Sequence, residues 1–474
     1  MKLSEIKTIH FTGIKGVAMT ALACCAQDAG MKVSGSDTAE VFVTDATLRK
    51  RKIQWQVGFS ADHLPKKLDC LVYTGALDPQ ANPEIKTAAE RKIPSYHHAA
   101  ALKLFMEGKT VVSVAGVGGK STTTAMTALG LEAAGLSPSY LVGVGEIFPL
   151  GAPGRFRKTG PLFVSEADEY IACKYNDPTP RFFYQDPKVV VLTNISFDHP
   201  DFYRDLNHTF KVFAEFVQRL GEDGLLIACQ DNQNIQRFLK RVKVPVQTYG
   251  FSPQADWQIS EWRSEAGRQV FKISYNQIVI DEVVLQVPGR FNALNATASL
   301  AVANFLGADL KKVVQGLAWF EGTKRRFEKI AQINGFLLYD DYAHHPTEIQ
   351  ATLRAAKSWF GGRPIVAIFQ PHTYSRTAAL LEEFSRSFEA ADQVILTPVY
   401  ASAREKKPAG WEEKTLFQQT QQHHPAVWWA EDAKAAAEVL RRILKPESVI
   451  LTLGAGDVFR WHPQIKEALK GFSG

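Results

Sequence analysis

The segment Gly116-Val117-Gly118-Gly119-Lys120-Ser121 constrains this chain more than any other. It follows residues 110–115, a β-branched run that reads as a buried strand, and it precedes a stretch that reads as a helix through Ala134. Glycines in that setting let backbone N–H groups converge on phosphate oxygens. Lys120 can then reach β- and γ-phosphates, and the Ser121 hydroxyl can ligate magnesium. Gly116, Val117, Gly118, Gly119, Lys120, Ser121 and Thr122 are therefore the expected nucleotide site, with ATP and Mg2+ as its ligands. The longer Gly-x-x-x-x-Gly-Lys spacing is not met, because the residue five before Gly119 is Val114. The shorter form carries the same chemical groups. A helix-capping glycine turn with a surface lysine is the bland alternative.

With 474 residues the chain has room for two to four domains. A net charge of +6 is modest for that length, and dispersed surface lysines account for it more simply than an anionic partner does. No dense Lys/Arg tract argues for nucleic acid. The five cysteines show neither zinc spacing nor a disulfide framework, which fits a reducing cytoplasm. The N-terminus lacks the apolar region of a signal peptide, and no run is long enough to span a bilayer. A soluble cytoplasmic protein, monomer or homodimer, is expected.

Three α/β regions follow from the pattern. Residues 6–12 read as a strand, Gly13-Ile14-Lys15-Gly16 as a turn, residues 17–29 as a helix, and the next strand ends at Gly35-Ser36-Asp37. Such a unit binds phosphorylated nucleotides at its helix N-terminus, although the three-glycine fingerprint is incomplete. Residues 69–73 give a further strand, closed at the same sheet edge by Thr74. This first region ends near residue 107. The central region, 108–321, has strands at 110–115, 162–164, 189–193 and 225–228. Antiparallel strands such as 269–274 and 277–280 follow, and then a small-residue helix at 292–306. After Gly322 strands and helices alternate again to residue 474, as in a parallel sheet covered by helices. That region includes one helix at 378–388 and a polar, Gln-rich linker at 406–424.

ATP chemistry calls for a second acidic element. Ser165-Glu166-Ala167-Asp168-Glu169 and Asn194-Ile195-Ser196-Phe197-Asp198-His199 each follow a strand, and strand-end loops of one sheet converge on one crevice. Glu166 and His199 can then hold a second magnesium beside the transferring phosphoryl group. A solvated acidic loop near Glu169 is the competing reading. Lys324, Arg325 and Arg326 are either a surface charge run or cations that swing onto ATP when domains close. His344-His345 lack the helical i, i+4 spacing of a zinc motif. His372 and Arg376 lie in a strand-end loop able to bind a small carboxylate.

Together these blocks resemble one family, the ATP-dependent Mur ligases of bacterial cell-wall synthesis. The likeness runs from His10-Phe11-Thr12-Gly13-Ile14 to Gly454-Ala455-Gly456-Asp457. It includes Phe197-Asp198-His199-Pro200-Asp201, Gly289-Arg290-Phe291-Asn292-Ala293-Leu294-Asn295-Ala296 and Tyr339-Asp340-Asp341-Tyr342-Ala343-His344-His345-Pro346. The block 369–377 is similar to that of the members that add a single L-alanine to UDP-N-acetylmuramate. The resemblance implies an N-terminal Rossmann-like domain for the UDP-sugar (1–107), a central P-loop ATPase-like domain (108–321) and a C-terminal Rossmann-like domain (322–474). It implies UDP-sugar contacts around Gly13, Gly16, Ser36 and Asp37, with Thr74 on the same edge. Lys120, Ser121, Glu166 and His199 match the ATP and magnesium positions. Asn292 and Asn295 match the adenine side, Asp341 a ribose contact and Arg326 a phosphate contact. His345, His372 and Arg376 match positions around the incoming alanine. Lys120, Glu166, His199, Arg326 and His345 are the expected catalytic set.

Three departures stand out. Val117-Gly118 replace the family's usual Thr-His, Phe291 replaces a His, and Lys15 replaces a further glycine. The last suggests that the Lys15 charge meets phosphate. Two alternatives remain at this level: a relative that attaches a recycled peptide to the same sugar nucleotide, and an inactive nucleotide-gated regulatory protein.

Overall fold

The strand Thr8–Thr12 is buried along all but its first residue and lies at the centre of a parallel sheet. A computed structural model, which describes residues 1–199, 202–265, 267–401 and 405–472, orders that sheet Gln54–Val57, Lys32–Asp37, Thr8–Thr12, Cys70–Tyr73, Ser95–His97. Strand order reverses between Thr8–Thr12 and Cys70–Tyr73, so the crevice opens beyond Thr12 and Tyr73. Gly13 follows at φ +85°, and a β-carbon there would overlap the Thr74 side chain. The helix Val17–Asp28 is almost entirely small and apolar, with residues 19–26 all buried. A helix apolar on all sides must be covered on all sides. One side meets its own sheet. Another meets the next region, where the Cys25 thiol donates to the Tyr140 carbonyl at 3.6 Å. Gly154 lies so close to Ala21 that any side chain would strike the Ala21 backbone.

The second sheet has ten strands. Thr110–Ala115 lies between Leu162–Glu166 and Val189–Leu192, parallel to both. Leu225–Cys229 and Val246–Gly250 extend one side, followed by Trp257–Glu265, Arg268–Tyr275 and Ile278–Leu285. Ser139–Leu141 and Gly154–Arg155 close the other side. The strand expected to end at Val164 runs on to Glu166. Glu166 is thus held by sheet hydrogen bonds instead of lying in a loop.

The third sheet runs Glu328–Ile333, Phe336–Asp341, Val449–Leu453, Ile365–Phe369, Gln393–Leu396, Val427–Trp429; only the first of these is antiparallel to its neighbour. The helix expected over 378–388 is instead two short ones, Tyr374–Ala379 and Leu381–Ser385, broken at Leu380 where φ is −119°. The polar segment 406–424 contains the helix Thr415–Gln421. By packing, the chain divides into two compact units. One contains residues 1–262, 270–285 and 292–324, and the other contains residues 263–269, 286–291 and 325–474. Among the described residues no helix is long and apolar enough to cross a membrane.

Candidate active site

The phosphate loop is shaped by two glycines and two neighbours from the adjacent strand. Gly116 has φ +129° and Gly119 φ +84°, both in the region that side chains disfavour. A β-carbon on Gly116 would run into the Thr193 hydroxyl. Asn194, just beyond Val189–Leu192, accepts from the backbone N–H groups of Val117 (2.8 Å) and Gly118 (3.0 Å). Its amide donates to the Gly118 carbonyl at 3.0 Å, and the Thr193 hydroxyl donates to the same oxygen at 2.6 Å. Sequence reasoning did not assign a role to Asn194. The signal was its place at the end of a strand that pairs with the loop's own strand.

Lys120 opens the helix Lys120–Ala133, but its side chain folds back. Its ammonium donates to the Gly116 carbonyl at 2.5 Å and to Glu169 at 2.8 Å. Burial opposes the charge on Lys120, yet the carboxylates of Glu169, Asp168 and Glu166 outweigh it and hold the ammonium above its usual range. Burial also pushes Asp168 up, but Arg181, Lys120 and His199 bring it down to about 2. Arg181 donates to Asp168 at 2.5 Å. Glu169 is pushed up by burial, which exceeds the pull of Lys120. The competing reading of a solvated acidic loop does not hold at Glu169, which is buried and is the lysine's partner.

Glu166 accepts from the Gly143 N–H at 2.5 Å. His199, at φ +54°, packs its ring 4.4 Å from that of Tyr170. Pro200 and Asp201 of the same sequence block lie outside the described residues. Ser121 is buried in the first helical turn, with Thr122 beside it partly exposed. Among the described residues no cluster of three His, Cys, Asp or Glu groups is preassembled around a metal. The donors offered are a hydroxyl, a carboxylate and an imidazole. The hydroxyl and carboxylate are hard oxygen donors that fit a magnesium ion completed by water and phosphate oxygens, and the imidazole is a borderline donor beside them. Asn295 joins the loop from the helix Arg290–Phe305: its side-chain oxygen accepts from the Thr123 hydroxyl at 3.0 Å, and its amide donates to Asn292 at 3.1 Å. The two asparagines are thereby brought to the phosphate-loop helix.

At the N-terminal sheet edge the expected sugar-nucleotide residues lie together but are already engaged. Gly13 N–H donates to the Ser36 carbonyl at 2.8 Å, Gly16 caps the following helix, and Thr74 N–H donates to the Thr12 carbonyl at 3.1 Å. Ser36 donates its hydroxyl to Glu84 at 2.5 Å. Glu84, fully buried, also accepts from Thr12 at 2.7 Å and from the Ser60 N–H at 3.2 Å, with His63 at 3.1 Å. Burial alone would raise its pKa, but His10, Ser36 and Thr12 hold it below the usual range. Sequence reasoning passed over Glu84. Asp37 accepts from the Lys15 N–H at 2.7 Å and is pushed up by burial. Lys15, whose charge was expected to meet phosphate, is engaged within the protein. Only 3% of Lys15 is exposed, and its ammonium is spent on the carbonyls of Thr38 and Glu40.

In the second unit the adjacent arginines part. Arg325 is buried and donates to Asp340 at 2.9 Å and to the carbonyls of Gly454 (2.6 Å) and Gly456 (3.1 Å). It is therefore a structural cation and not a mobile one. Arg326 lies with its guanidinium 5.0 Å from the Tyr342 ring. Both Asp341 oxygens accept backbone N–H groups, from Phe327 at 2.7 Å and Ala343 at 2.8 Å. Burial pushes this carboxyl up to about 6 despite Arg326. His345 caps the helix Pro346–Trp359, its ring 2.9 Å from the Thr347 hydroxyl. His372 contacts Arg376 at 3.4 Å and stacks on Tyr400 at 6.0 Å.

A phosphate loop and a strand-end acidic cluster on one sheet, beside a Rossmann-like sheet, define an α/β enzyme architecture that works on nucleotide phosphates. Family models place it more closely. The Mur ligase family catalytic domain matches residues 8–110, the Mur ligase middle domain residues 114–303, and the Mur ligase glutamate ligase domain residues 325–456. A UDP-N-acetylmuramate–L-alanine ligase from Desulfitobacterium hafniense is 37% identical over 453 residues, covering 95% of this chain and 98% of the relative. One from Caldanaerobacter subterraneus is 37% identical over 462 residues, covering 96% of each. The crystal structure of UDP-N-acetylmuramate-alanine ligase from Thermotoga maritima matches with a TM-score of 0.79 at 28% identity, over 98% of both chains. A murein peptide ligase from Psychrobacter arcticus shares the fold, with a TM-score of 0.71 at 23% identity over 99% of this chain and 100% of its own. The chain belongs to the Mur ligase family.

Proposed function

We propose that this enzyme joins L-alanine to UDP-N-acetylmuramate with ATP, through an acyl phosphate, in peptidoglycan precursor synthesis in the cytoplasm. The observation that carries this reading is Lys120, which opens the helix after the glycine loop and holds its ammonium 2.5 Å from the Gly116 carbonyl and 2.8 Å from Glu169. The near full-length likeness to alanine-adding relatives supports the choice of amino acid. Gly116–Thr122 would cradle the phosphates, with Asn292 and Asn295 toward the adenine. Ser121, Glu166 and His199 would hold Mg2+, which when bound neutralises phosphate charge. Lys120 exchanges Glu169 for the β- and γ-phosphates and so stabilises the charge that shifts as the lactyl carboxylate attacks. The amine of alanine then displaces phosphate from the acyl carbon, with His345, His372 and Arg376 as the proposed contacts of the amino acid. Proposed domain limits are 1–107, 108–321 and 322–474, in a monomer or homodimer.

The direct test is mass spectrometry of the purified protein with ATP, Mg2+, UDP-N-acetylmuramate and L-alanine, competed against the murein tripeptide. An alanyl product and a higher kcat/KM for alanine are expected. A strong tripeptide preference would move the chain to the peptide-adding ligases. ATP binding without substrate-dependent phosphate release would leave only a regulatory role.

Asn194 gives a narrower test. Asn194→Ala removes the acceptor that orients two loop N–H groups, so the KM for ATP should rise by about tenfold or more, with the KM for the sugar nucleotide unchanged. An unaltered KM for ATP would show that the loop holds its shape without it.

A further inference from the structure

Lys15 occupies the turn between Thr8–Thr12 and Val17–Asp28, and removing an ammonium from water there is costly unless it is fully compensated. Its hydrogen-bond and ion-pair partners all come from one stretch of chain. The ammonium donates to the carbonyls of Thr38 at 2.9 Å and Glu40 at 2.7 Å, and lies 3.8 Å from the Asp45 carboxylate. The Phe42 ring is 5.6 Å from it, and Trp55 of the neighbouring strand is 5.7 Å away. The Lys15 backbone joins in: its N–H donates to Asp37 at 2.7 Å, and its carbonyl accepts from the Thr44 hydroxyl at 2.5 Å. One residue thus pins the segment 37–45 at both ends and in the middle.

That segment has neither helix nor strand between Asp37 and Asp45. It leaves the carboxyl edge of the N-terminal sheet and enters the helix Asp45–Lys50. There the Thr47 hydroxyl donates to the Gly145 carbonyl at 2.6 Å, and Lys50 pairs with Glu146 at 3.0 Å. Gly143 of the same central loop donates to Glu166. The pinned segment therefore spans from the sheet edge to the loop that seats Glu166.

We infer that Lys15 is a positioning residue that preorders segment 37–45 as one wall of the sugar-nucleotide site, without touching the ligand itself. This rests on the proposed substrate. An irregular segment ordered in advance spares the ligand that entropy, so the clamp acts on affinity and not on the chemical step. The test is calorimetric titration of UDP-N-acetylmuramate into the full chain, with hydrogen exchange at amides 38–44. In Lys15→Met, Kd and KM for the sugar nucleotide should rise by about tenfold, while kcat at saturation stays within about twofold. Exchange at 38–44 should quicken in the free variant and return to the unmodified rate on saturation. A general structural defect would instead lower kcat and quicken exchange throughout. Should Lys15→Met not fold, Asp45→Asn removes the ion-pair partner of Lys15, together with that of the exposed Arg49, and should give the same split at about threefold. Unchanged affinity with unchanged exchange, in either folded variant, overturns the inference. If the unmodified chain does not bind UDP-N-acetylmuramate, the substrate reading fails. Exchange at 38–44 in the variants then still decides whether Lys15 is the clamp.

Discussion

Lys120→Ala is expected to lower turnover by about 10²–10³-fold, roughly 3–4 kcal/mol of transition-state stabilisation, while the protein stays folded. The lysine supplies a fixed cation where phosphoryl charge redistributes, and no other residue in the loop carries one. Its ground-state partner is Glu169, of which only 3% is exposed. Removing the ammonium leaves that carboxylate without its cation, and burial already pushes its pKa up. Glu169 can therefore take a proton instead of holding an uncompensated charge, which limits the damage to the fold. Phosphate release, calorimetric binding of UDP-N-acetylmuramate and circular dichroism should be read together. Near-normal turnover would remove Lys120 from the ATP site. Loss of the dichroism spectrum would make it structural.

The largest effect on stability should fall on Arg325. Arg325→Ala should destabilise the protein by about 3–5 kcal/mol, because it strands a buried partner. Asp340 is fully buried, and its remaining neighbours are Thr452 at 2.6 Å and His462 at 3.6 Å. Arg325 also satisfies two carbonyls of the 454–456 turn and lies 4.7 Å from the Phe459 ring. Lysine should not rescue it, since three acceptors are met by one planar fork. The pH dependence has a definite sign. Burial raises the Asp340 pKa, but Arg325 and His462 more than offset this and hold it below 3.8. A depressed carboxyl stabilises the fold above its unfolded pKa, and that stability is lost as pH falls through the folded value. In the variant burial is no longer offset by Arg325, so the folded pKa of Asp340 rises, its acid-induced loss shrinks or reverses, and the stability gap to the unmodified protein should narrow as pH falls. Urea unfolding at neutral and acidic pH measures both effects. A change under about 1 kcal/mol at neutral pH would show that Asp340 is solvated after all.

What the sequence makes legible is backbone position. Gly116 and Gly119 could be placed because few residues tolerate their dihedral angles, and Glu166 because strand ends on one sheet share an edge. Side-chain direction is another matter. Lys15 was expected to face a ligand, and its partners at 38, 40 and 45 become visible only once the segment folds over it. Arg325 and Arg326 are adjacent and chemically alike, yet Arg325 has φ +62° and its side chain goes into the core. Glu84 lies 72 residues from Thr12 and 48 from Ser36, so no local pattern announces that they meet. The strand Glu328–Ile333 was missed because it is a partly exposed edge with weak alternation. The break at Leu380 was missed because the helical period continues through it.

The close approach of Gly154 to Ala21 bears on how this chain could be dissected. Family models treat residues 8–110 and 114–303 as separate modules. Yet Cys24, Cys25 and Phe105 share one apolar cluster with Val111, Leu141 and Phe163 across that boundary. Cutting between the modules would give two fragments, each with a raw hydrophobic face where the other had been, and each prone to aggregate. Exchanging the first module for that of a relative would pair best with a second module that keeps a glycine at position 154, where the helix backbone at Ala21 leaves no room for a side chain. Here the unit of inheritance is smaller than the unit of folding.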